Sequence, residues 1–222
     1  ITNTNGDNPP PFANIVYKVQ EYALFGEASY ALSDAFSATF GGRLAHTKGK
    51  TQRSFGVTNT VEPKTDATRF LPMAAFSWKL TDAVNGYIRY QQGYRTGGIT
   101  VERTENGDPQ IARFDADKVQ SVEAGVKGRL NGSAPITFSL AAFYMKWQDV
   151  QADLVDPRGF TITRNTGDAE IYGLSMQSGA ELAADLNLVS SFFLNNSKAV
   201  RQSPAGDVIN AMLPNIAPYN AR

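Results

Sequence analysis

Apolar and polar residues alternate with a period of two along most of this chain, which predicts β-strands. Between residues 22 and 32 the even positions are mainly apolar, and the odd positions include Glu27 and Ser29. Successive side chains of a strand point to opposite faces, so this run has one apolar and one polar face. Ser33 and Asp34 then form a turn, and the next run repeats the alternation. The two runs predict an antiparallel hairpin.

Eight such runs lie between about residues 20 and 200, and no long apolar stripe of period 3.6 indicates a helix. Tight links near residues 33–34, 81–83, 131–135 and 183–185 alternate with long links at 48–68, 96–117 and 149–166. One end of the sheet therefore has short turns and the other has long loops. Outer-membrane β-barrels segregate their connections in this way, whereas a soluble sandwich has no reason to.

We therefore predict an all-β fold, an antiparallel up-and-down meander of about eight strands in a transmembrane barrel. Residues 1–222 form one partial barrel domain in this prediction. Residues 1–19 are a loop, about 20–200 carry the eight strands, and 201–222 are a loop that leads to the next strand.

Aromatic residues fall near the ends of the apolar faces. Tyr22 and Tyr30 bracket the first run, about 20 Å apart along the membrane normal if the strand is tilted by ~40°. Two aromatic belts of this kind suit a surface that faces lipid. The predicted girdle consists of Tyr22, Tyr30, Trp78, Tyr94, Tyr144 and Tyr172. Core aromatics of a soluble β-domain are the alternative.

The opposite faces carry many charges, which a dry interior rarely holds. Lysine or arginine at mid-bilayer on the lipid side would cost roughly 2–4 kcal/mol each, so the polar face of a barrel must look inward. The residues predicted to face the lumen are Glu27, Arg43, Lys79, Arg89, Glu123, Lys127 and Arg129.

Composition limits the chemistry. Lys plus Arg and Asp plus Glu both total 21, so the net charge of zero gives no reason to expect nucleic acid as a partner. There is no cysteine and only one histidine, His46, and no catalytic or phosphate-binding motif is present. We expect no enzymatic activity, no cofactor and no metal site. Aspartates 149, 153 and 156 near a long loop are more simply solvated carboxylates than calcium ligands.

Arginines are the one group that suggests ligand contact. Arg95, Arg103, Arg113, Arg158 and Arg164 lie on or near the long links. Guanidinium groups pair well with anionic ligands, such as a ferric siderophore. Ordinary solubility of the loops is the alternative explanation for these charges.

Several segments occur in a characteristic order along the chain: 22–30 (YALFGEASY) with 40–44 (FGGRL), 76–82 with 87–98, 121–128, 141–144 with 149–151, 165–173 and 213–215. This ordered set resembles the barrels of TonB-dependent receptors. The resemblance implies an outer-membrane receptor with a barrel of about 22 strands around an N-terminal plug. It further implies active import of a scarce nutrient, often an iron–siderophore complex, energised by the inner-membrane TonB complex.

The sequence departs from that family pattern in two ways. We find neither a plug nor a TonB box, and the last residues lack the terminal aromatic of a closing strand. We therefore expect a central barrel segment that does not transport alone and whose open sheet edges pair with another copy. Two alternatives stay open: a complete eight-stranded barrel, and a soluble β-sandwich or lipocalin-like binding module.

Overall fold

The computed structural model describes residues 13–55, 58–61, 65–103, 109–132, 134–183, 185–202 and 217–221. These residues contain strands and turns but no helix, and none of them forms a helix long and apolar enough to cross a membrane. The strands are β1 (Ala13–Ala31), β2 (Phe36–Phe55), β3 (Thr58–Val61), β4 (Thr65–Thr81), β5 (Val84–Arg95), β6 (Gly98–Arg103), β7 (Pro109–Phe114), β8 (Asp117–Leu130), β9 (Ile136–Gln148), β10 (Gln151–Val155), β11 (Thr161–Asn165), β12 (Gly167–Ala183), β13 (Leu186–Gln202) and β14 (Tyr219–Ala221).

One large sheet has the strand order β1-β2-β4-β5-β8-β9-β12-β13-β14, with β3 paired to β2. Strands that are neighbours in the sheet follow each other along the chain once the short hairpins are set aside. The pairings of β4 through β14 are antiparallel. The predicted all-β antiparallel meander is thus confirmed, and the eight predicted runs are β1, β2, β4, β5, β8, β9, β12 and β13.

The boundaries differ from those expected. β1 begins at Ala13, inside the segment 1–19 that was predicted to be a loop, and β14 lies inside the predicted loop 201–222. All three long links also contain strands, because β3 pairs with β2 in the first, and in the other two β6 pairs with β7 and β10 pairs with β11 as separate hairpins. Backbone groups in a long link need hydrogen-bond partners, and a hairpin supplies them locally.

The chain forms two compact units, one made of Ile1–Phe25 with Arg43–Phe70 and one made of Gly26–Gly42 with Leu71–Arg222. In the first unit Glu21 accepts hydrogen bonds from Arg43 and, at 3.5 Å, from the Thr47 hydroxyl. The second unit holds β5 through β14, and the candidate site lies within it.

The sheet of the second unit has an apolar face, and several of its large side chains are exposed among the residues that the structure describes. Register places one row of this face side by side across six strands: Phe76, Ile88, Ala124, Ala142, Leu174 and Leu194. Phe76 is 44% exposed and Leu174 is 48% exposed. A continuous apolar surface of this extent marks a site of contact with another apolar phase. We call it the apolar face, and its reverse the polar face.

The tight turns of the second unit step along the strands. Val84 is the first residue of β5, and β8 continues for two residues past the residue that lies opposite Val84 before the chain turns. Ile136 is the first residue of β9, and β12 continues for three residues past the residue that lies opposite Ile136. From the β4–β5 turn to the β12–β13 turn, the position of the turn is therefore displaced by about 17 Å along the strand direction, over four strand spacings of about 4.8 Å each. This displacement corresponds to strands tilted by roughly 40°. Strands of outer-membrane barrels are tilted by about 35–45°. The strand tilt that the stagger of this sheet implies is thus the tilt found in the wall of an outer-membrane barrel.

Candidate functional site

A buried carboxylate lies at the end of the sheet where the long links are, which we call the loop end. Asp117, the first residue of β8, is 1% exposed and pairs in register with Arg95, the last residue of β5. Trp147 reaches the same place from the end of β9, and Gln151 from the start of β10. Four strand ends therefore meet at one carboxylate.

Five N–H donors satisfy Asp117, and one of them, Arg95 Nη2, donates to Oδ2. Oδ2 accepts hydrogen bonds from Arg95 Nε at 2.8 Å, from Trp147 Nε1 at 3.0 Å and from the Gln151 amide at 3.4 Å. Oδ1 accepts from the Arg95 amide at 3.1 Å. The guanidinium also donates to the Gln151 carbonyl at 2.9 Å, and its Cζ lies 5.1 Å from the centroid of the Trp147 ring. A buried charge needs this degree of pairing, since it is otherwise very costly.

Two amide side chains extend the network into the loops. Gln151 Nε2 donates to the carbonyls of Thr96 at 3.1 Å and Asp115 at 2.9 Å. Asn165 Oδ1 accepts from the Asp115 amide at 2.6 Å, while its Nδ2 donates to the carbonyls of Asp115 at 3.0 Å and Asp149 at 2.6 Å. Asp149 has a φ of 52°, a left-handed conformation that aspartate tolerates better than most residues. These bonds fix the bases of both hairpins to the strand ends.

The two loop hairpins also hold each other. Arg164 Nε of β11 donates to Glu102 Oε1 of β6 at 2.7 Å, and both side chains are partly buried. One position earlier, the Thr163 amide donates to Thr100 Oγ1 at 3.2 Å. The β6–β7 and β10–β11 hairpins therefore form one assembly above the Asp117 cluster, which we call the hairpin pair.

The five predicted ligand arginines have different surroundings. Arg95 pairs with Asp117 and Arg164 with Glu102, so the structure gives these two a role in holding the hairpin pair. Arg113 is exposed on β7, and Arg158 lies in the turn between β10 and β11. The side chain of Arg103 lies outside the described residues. The structure therefore does not gather the five into one cluster, and their contact with a ligand stays a prediction.

The residues predicted to face the lumen lie on the polar face where the second unit contains them. Glu123 accepts hydrogen bonds from Tyr87 Oη at 2.9 Å and from Arg89 at 3.4 Å, and Lys127 Nζ lies 5.8 Å from the centroid of the Tyr87 ring. Arg129 is 3.4 Å from Glu181. Glu27 and Lys79 are exposed, and Arg43 belongs to the first unit.

The polar face also has an apolar cluster that the sequence pattern did not predict. Val150, Ala169 and Ile171 are buried there, with Phe143, Met145 and Trp147 packed against them. Phe143 stacks on Phe193, with ring centroids 5.4 Å apart and planes at 11°. The available signal was the break in alternation along β9, where the three large apolar residues occupy positions expected to be polar.

Five residues of the predicted girdle belong to the second unit and lie toward the ends of their strands, whereas Tyr22 belongs to the first unit, and the girdle itself stays a prediction. Tyr144 of β9 is directly opposite Tyr172 of β12, and both are a little over 40% exposed. Tyr22 and Tyr30 are 60% and 70% exposed. Trp78 lies near the tight turn after β4, against Gly86, where a Cβ would approach the indole to 2.5 Å. Tyr94 lies on β5 opposite Lys118.

The candidate metal ligands are engaged in separate local contacts. His46 Nδ1 is 2.9 Å from Thr68 Oγ1, and its Nε2 is 3.6 Å from Asp66. Asp153 accepts from the Thr163 hydroxyl at 2.7 Å, and Asp156 accepts from two amides of its own turn. Among the described residues, no group of three or more His, Asp or Glu side chains is placed to hold a metal ion.

The sequence and the fold are both similar to those of known proteins. The family model of the TonB-dependent receptor-like β-barrel matches residues 1–222. The fold is similar to the ferric yersiniabactin uptake receptor FyuA from Yersinia pestis, with a TM-score of 0.75 and 20% identity over 94% of this chain and 31% of that one. It is also similar to the siderophore receptor PiuA from Acinetobacter baumannii (TM-score 0.69, 14% identity, 93% and 31% covered).

A further similar structure is the ferric-catecholate import receptor Fiu from E. coli (TM-score 0.68, 14% identity, 97% and 32% covered). This chain spans about a third of the length of these three receptors. No protein with a curated description matches the sequence.

Proposed function

This chain belongs to the TonB-dependent receptor β-barrel family, and from that premise we propose that it forms part of the wall of a receptor that imports a scarce nutrient, such as a ferric siderophore. Barrels of this family lie in the bacterial outer membrane, and its members are receptors and transporters rather than enzymes. The apolar face of the sheet then contacts lipid, and the polar face lines the lumen.

The observation that carries the proposal is the anchored hairpin pair at the loop end. Extracellular ligands reach a receptor of this architecture through its long loops. A buried carboxylate with five donors makes the base of this pair rigid, and rigid supports hold contact residues in a fixed geometry. The exposed Arg113 is then a contact for an anionic ligand, with Arg158 and Arg103 as further contacts, while Arg95 and Arg164 hold the support.

The proposed substrate class follows from the similar structures. Three of them are described as receptors for siderophores or their ferric complexes. A fourth is described as a copper transporter, at 16% identity and a TM-score of 0.59. Because such identities support only the fold, iron and copper both belong in the test, and we propose the ferric complex because an anionic chelate suits exposed guanidinium groups.

Uptake by whole cells tests the proposal. A strain that lacks the receptor is complemented with the full-length gene and given radioactive iron bound to a catecholate, a hydroxamate or a mixed siderophore, or radioactive copper. We expect uptake of at least one ferric complex, abolished by a protonophore because energy comes through TonB and the proton gradient. Uptake of copper alone, or no energy dependence, would contradict the proposal.

Substitution then tests the contact residues. Loss of one charge-assisted hydrogen bond costs about 1.5–3 kcal/mol, so Arg113→Ala should weaken ligand binding by roughly tenfold or more. Lys79→Ala is the control because it removes one positive charge from the opposite end of the sheet. Equal binding by Arg113→Ala and the control would exclude Arg113 as a contact without affecting the transport proposal.

A further inference from the structure

We propose that a short row of charged side chains on the apolar face, just beyond its tyrosines, binds the phosphate groups of lipids in the outer leaflet of the membrane. The row consists of Lys146 on β9, Glu170 on β12 and Lys198 on β13, and Lys118 of β8 lies on the same face one side-chain step nearer the loop end. We call it the lysine row. It lies on the reverse of the lumen face and takes no part in ligand uptake.

Register defines the row. On β9, Tyr144 is followed on the same face by Lys146, and on β12, Tyr172 is followed toward the loop end by Glu170. Lys146 is directly opposite Glu170, and Glu170 is directly opposite Lys198. Three neighbouring strands therefore carry charges at one level, immediately past the level at which two of them carry tyrosine.

Glu170, the acidic residue of the row, interacts with the side chains on both sides of it. Lys198 Nζ lies 3.4 Å from Glu170 Oε2, and the Tyr144 hydroxyl donates a hydrogen bond to the same carboxylate. Lys146 acts on Glu170 through space from the other side. The Lys198 side chain is nevertheless 55% exposed, so its ammonium group keeps donors available. The row itself therefore carries two positive charges and one negative charge, an excess of one, and Lys118 adds a further positive charge one side-chain step nearer the loop end.

The residues next to the lysine row indicate which kind of ligand would bind to this excess charge. Toward the turn end, the same face continues into Leu174, Met176 and Leu140, which are all exposed by more than 40%. Tyrosine at the edge of such a surface marks the level of the lipid headgroups. A ligand with acyl chains can therefore cover the apolar residues while its phosphate reaches the lysines. A soluble anion would gain only the second of these contacts.

Phosphate matches the row better than a carboxylate would. A phosphate monoester carries about −1.5 to −2 charges near neutral pH and has three acceptor oxygens, which suits two flanking ammonium groups. Each lysine near a charged membrane surface strengthens lipid binding roughly fivefold. Glu170 opposes the phosphate, so the row as it stands binds less tightly than the lysines alone would.

Binding of diphosphoryl lipid A to the full-length receptor in phosphatidylcholine nanodiscs tests the inference. The double variant Lys146→Gln/Lys198→Gln should bind roughly 25-fold more weakly, from about fivefold for each lysine. Glu170→Gln should bind severalfold more tightly, because it removes the repulsion and keeps an acceptor for Tyr144. Lys79→Gln, on the polar face, is the matched control and should leave binding unchanged.

Opposite effects of the two changes separate a lipid site from a folding defect, which would weaken binding in both variants. Lipid A without its phosphates should bind the unaltered receptor about as weakly as diphosphoryl lipid A binds the double variant. Equal binding by all variants would overturn the inference. Displacement of the lipid by millimolar inorganic phosphate would also overturn it, because the row would then be a site for soluble anions.

Discussion

Replacement of the buried Asp117 by asparagine should release the hairpin pair while it leaves the sheet intact. Asparagine keeps an oxygen for Trp147 Nε1 but removes the charge that pairs with Arg95. Loss of one partner of a buried ion pair costs about 3–5 kcal/mol. Because the Arg95 side chain is 52% exposed, water replaces part of the lost interaction, and we expect roughly 2 kcal/mol.

Hydrogen exchange of the full-length receptor measures this change where it occurs. Local opening that becomes easier by roughly 2 kcal/mol raises the exchange rate about 30-fold at the amides it exposes. We expect the increase at Gln151, whose amide donates to Asp117, and at Thr163, whose amide joins the two hairpins. Amides in the middle of β8 and β9 should keep their protection.

Asp153→Asn is the matched control, since it removes a carboxylate from the same hairpin pair. Asp153 accepts one hydrogen bond from the Thr163 hydroxyl, and its contact is exposed, so the change should alter exchange by less than a few-fold. The reasoning would be refuted if Asp117→Asn behaved like this control. A uniform increase along β8 and β9 would refute it as well, because Asp117 would then hold the sheet instead of the loops.

Two further substitutions test the packing of the sheet and the identity of its faces. Gly173→Ala should lower the unfolding temperature markedly, because its Cβ would lie 2.0 Å from the Leu194 carbonyl oxygen. Gly93→Ala is the control and should leave the unfolding temperature unchanged, because its Cβ would meet nothing within 4 Å. Equal shifts of the unfolding temperature in the two variants would contradict the tight packing at Gly173. Leu174→Lys on the apolar face should cost about 2–4 kcal/mol when the receptor folds into phosphatidylcholine vesicles in a urea titration. Gln177→Lys on the polar face should cost under about 1 kcal/mol, and equal costs would mean that lipid does not cover the apolar face.

The number and order of the strands could be predicted because a strand at a membrane surface needs alternating apolar and polar residues. A strand with one face toward an apolar phase must alternate apolar and polar residues, as β8 and β12 do. The hairpin pair has no such face. The sequences QADLV of β10 and TITRN of β11 are only five residues each, and they lie in a long link rich in Gly, Asp, Asn, Thr and Arg, so a loop was predicted instead.

The candidate site was less predictable because it depends on partners far apart in sequence. Nothing in the sequence around Asp117 indicates that Trp147 and Gln151 donate to it. Arg95 was predicted as a ligand contact because of its position near a loop, yet the structure pairs it with Asp117. Charge and position in a link identify an arginine as a candidate, but its neighbours across the sheet decide its role.

Labelling of intact cells tests most directly the central claim, that this chain is outer-membrane barrel wall with its hairpin pair outside. These 222 residues have no cysteine, so once any cysteine elsewhere in the receptor is replaced, single cysteines can be placed at Arg158, in the hairpin turn, and at Asn131, in a tight link. A maleimide on a polyethylene glycol too large for porins should label Arg158→Cys on intact cells, and Asn131→Cys only after the outer membrane is opened. Labelling of Asn131→Cys on intact cells, or no labelling of Arg158→Cys, would contradict the claim.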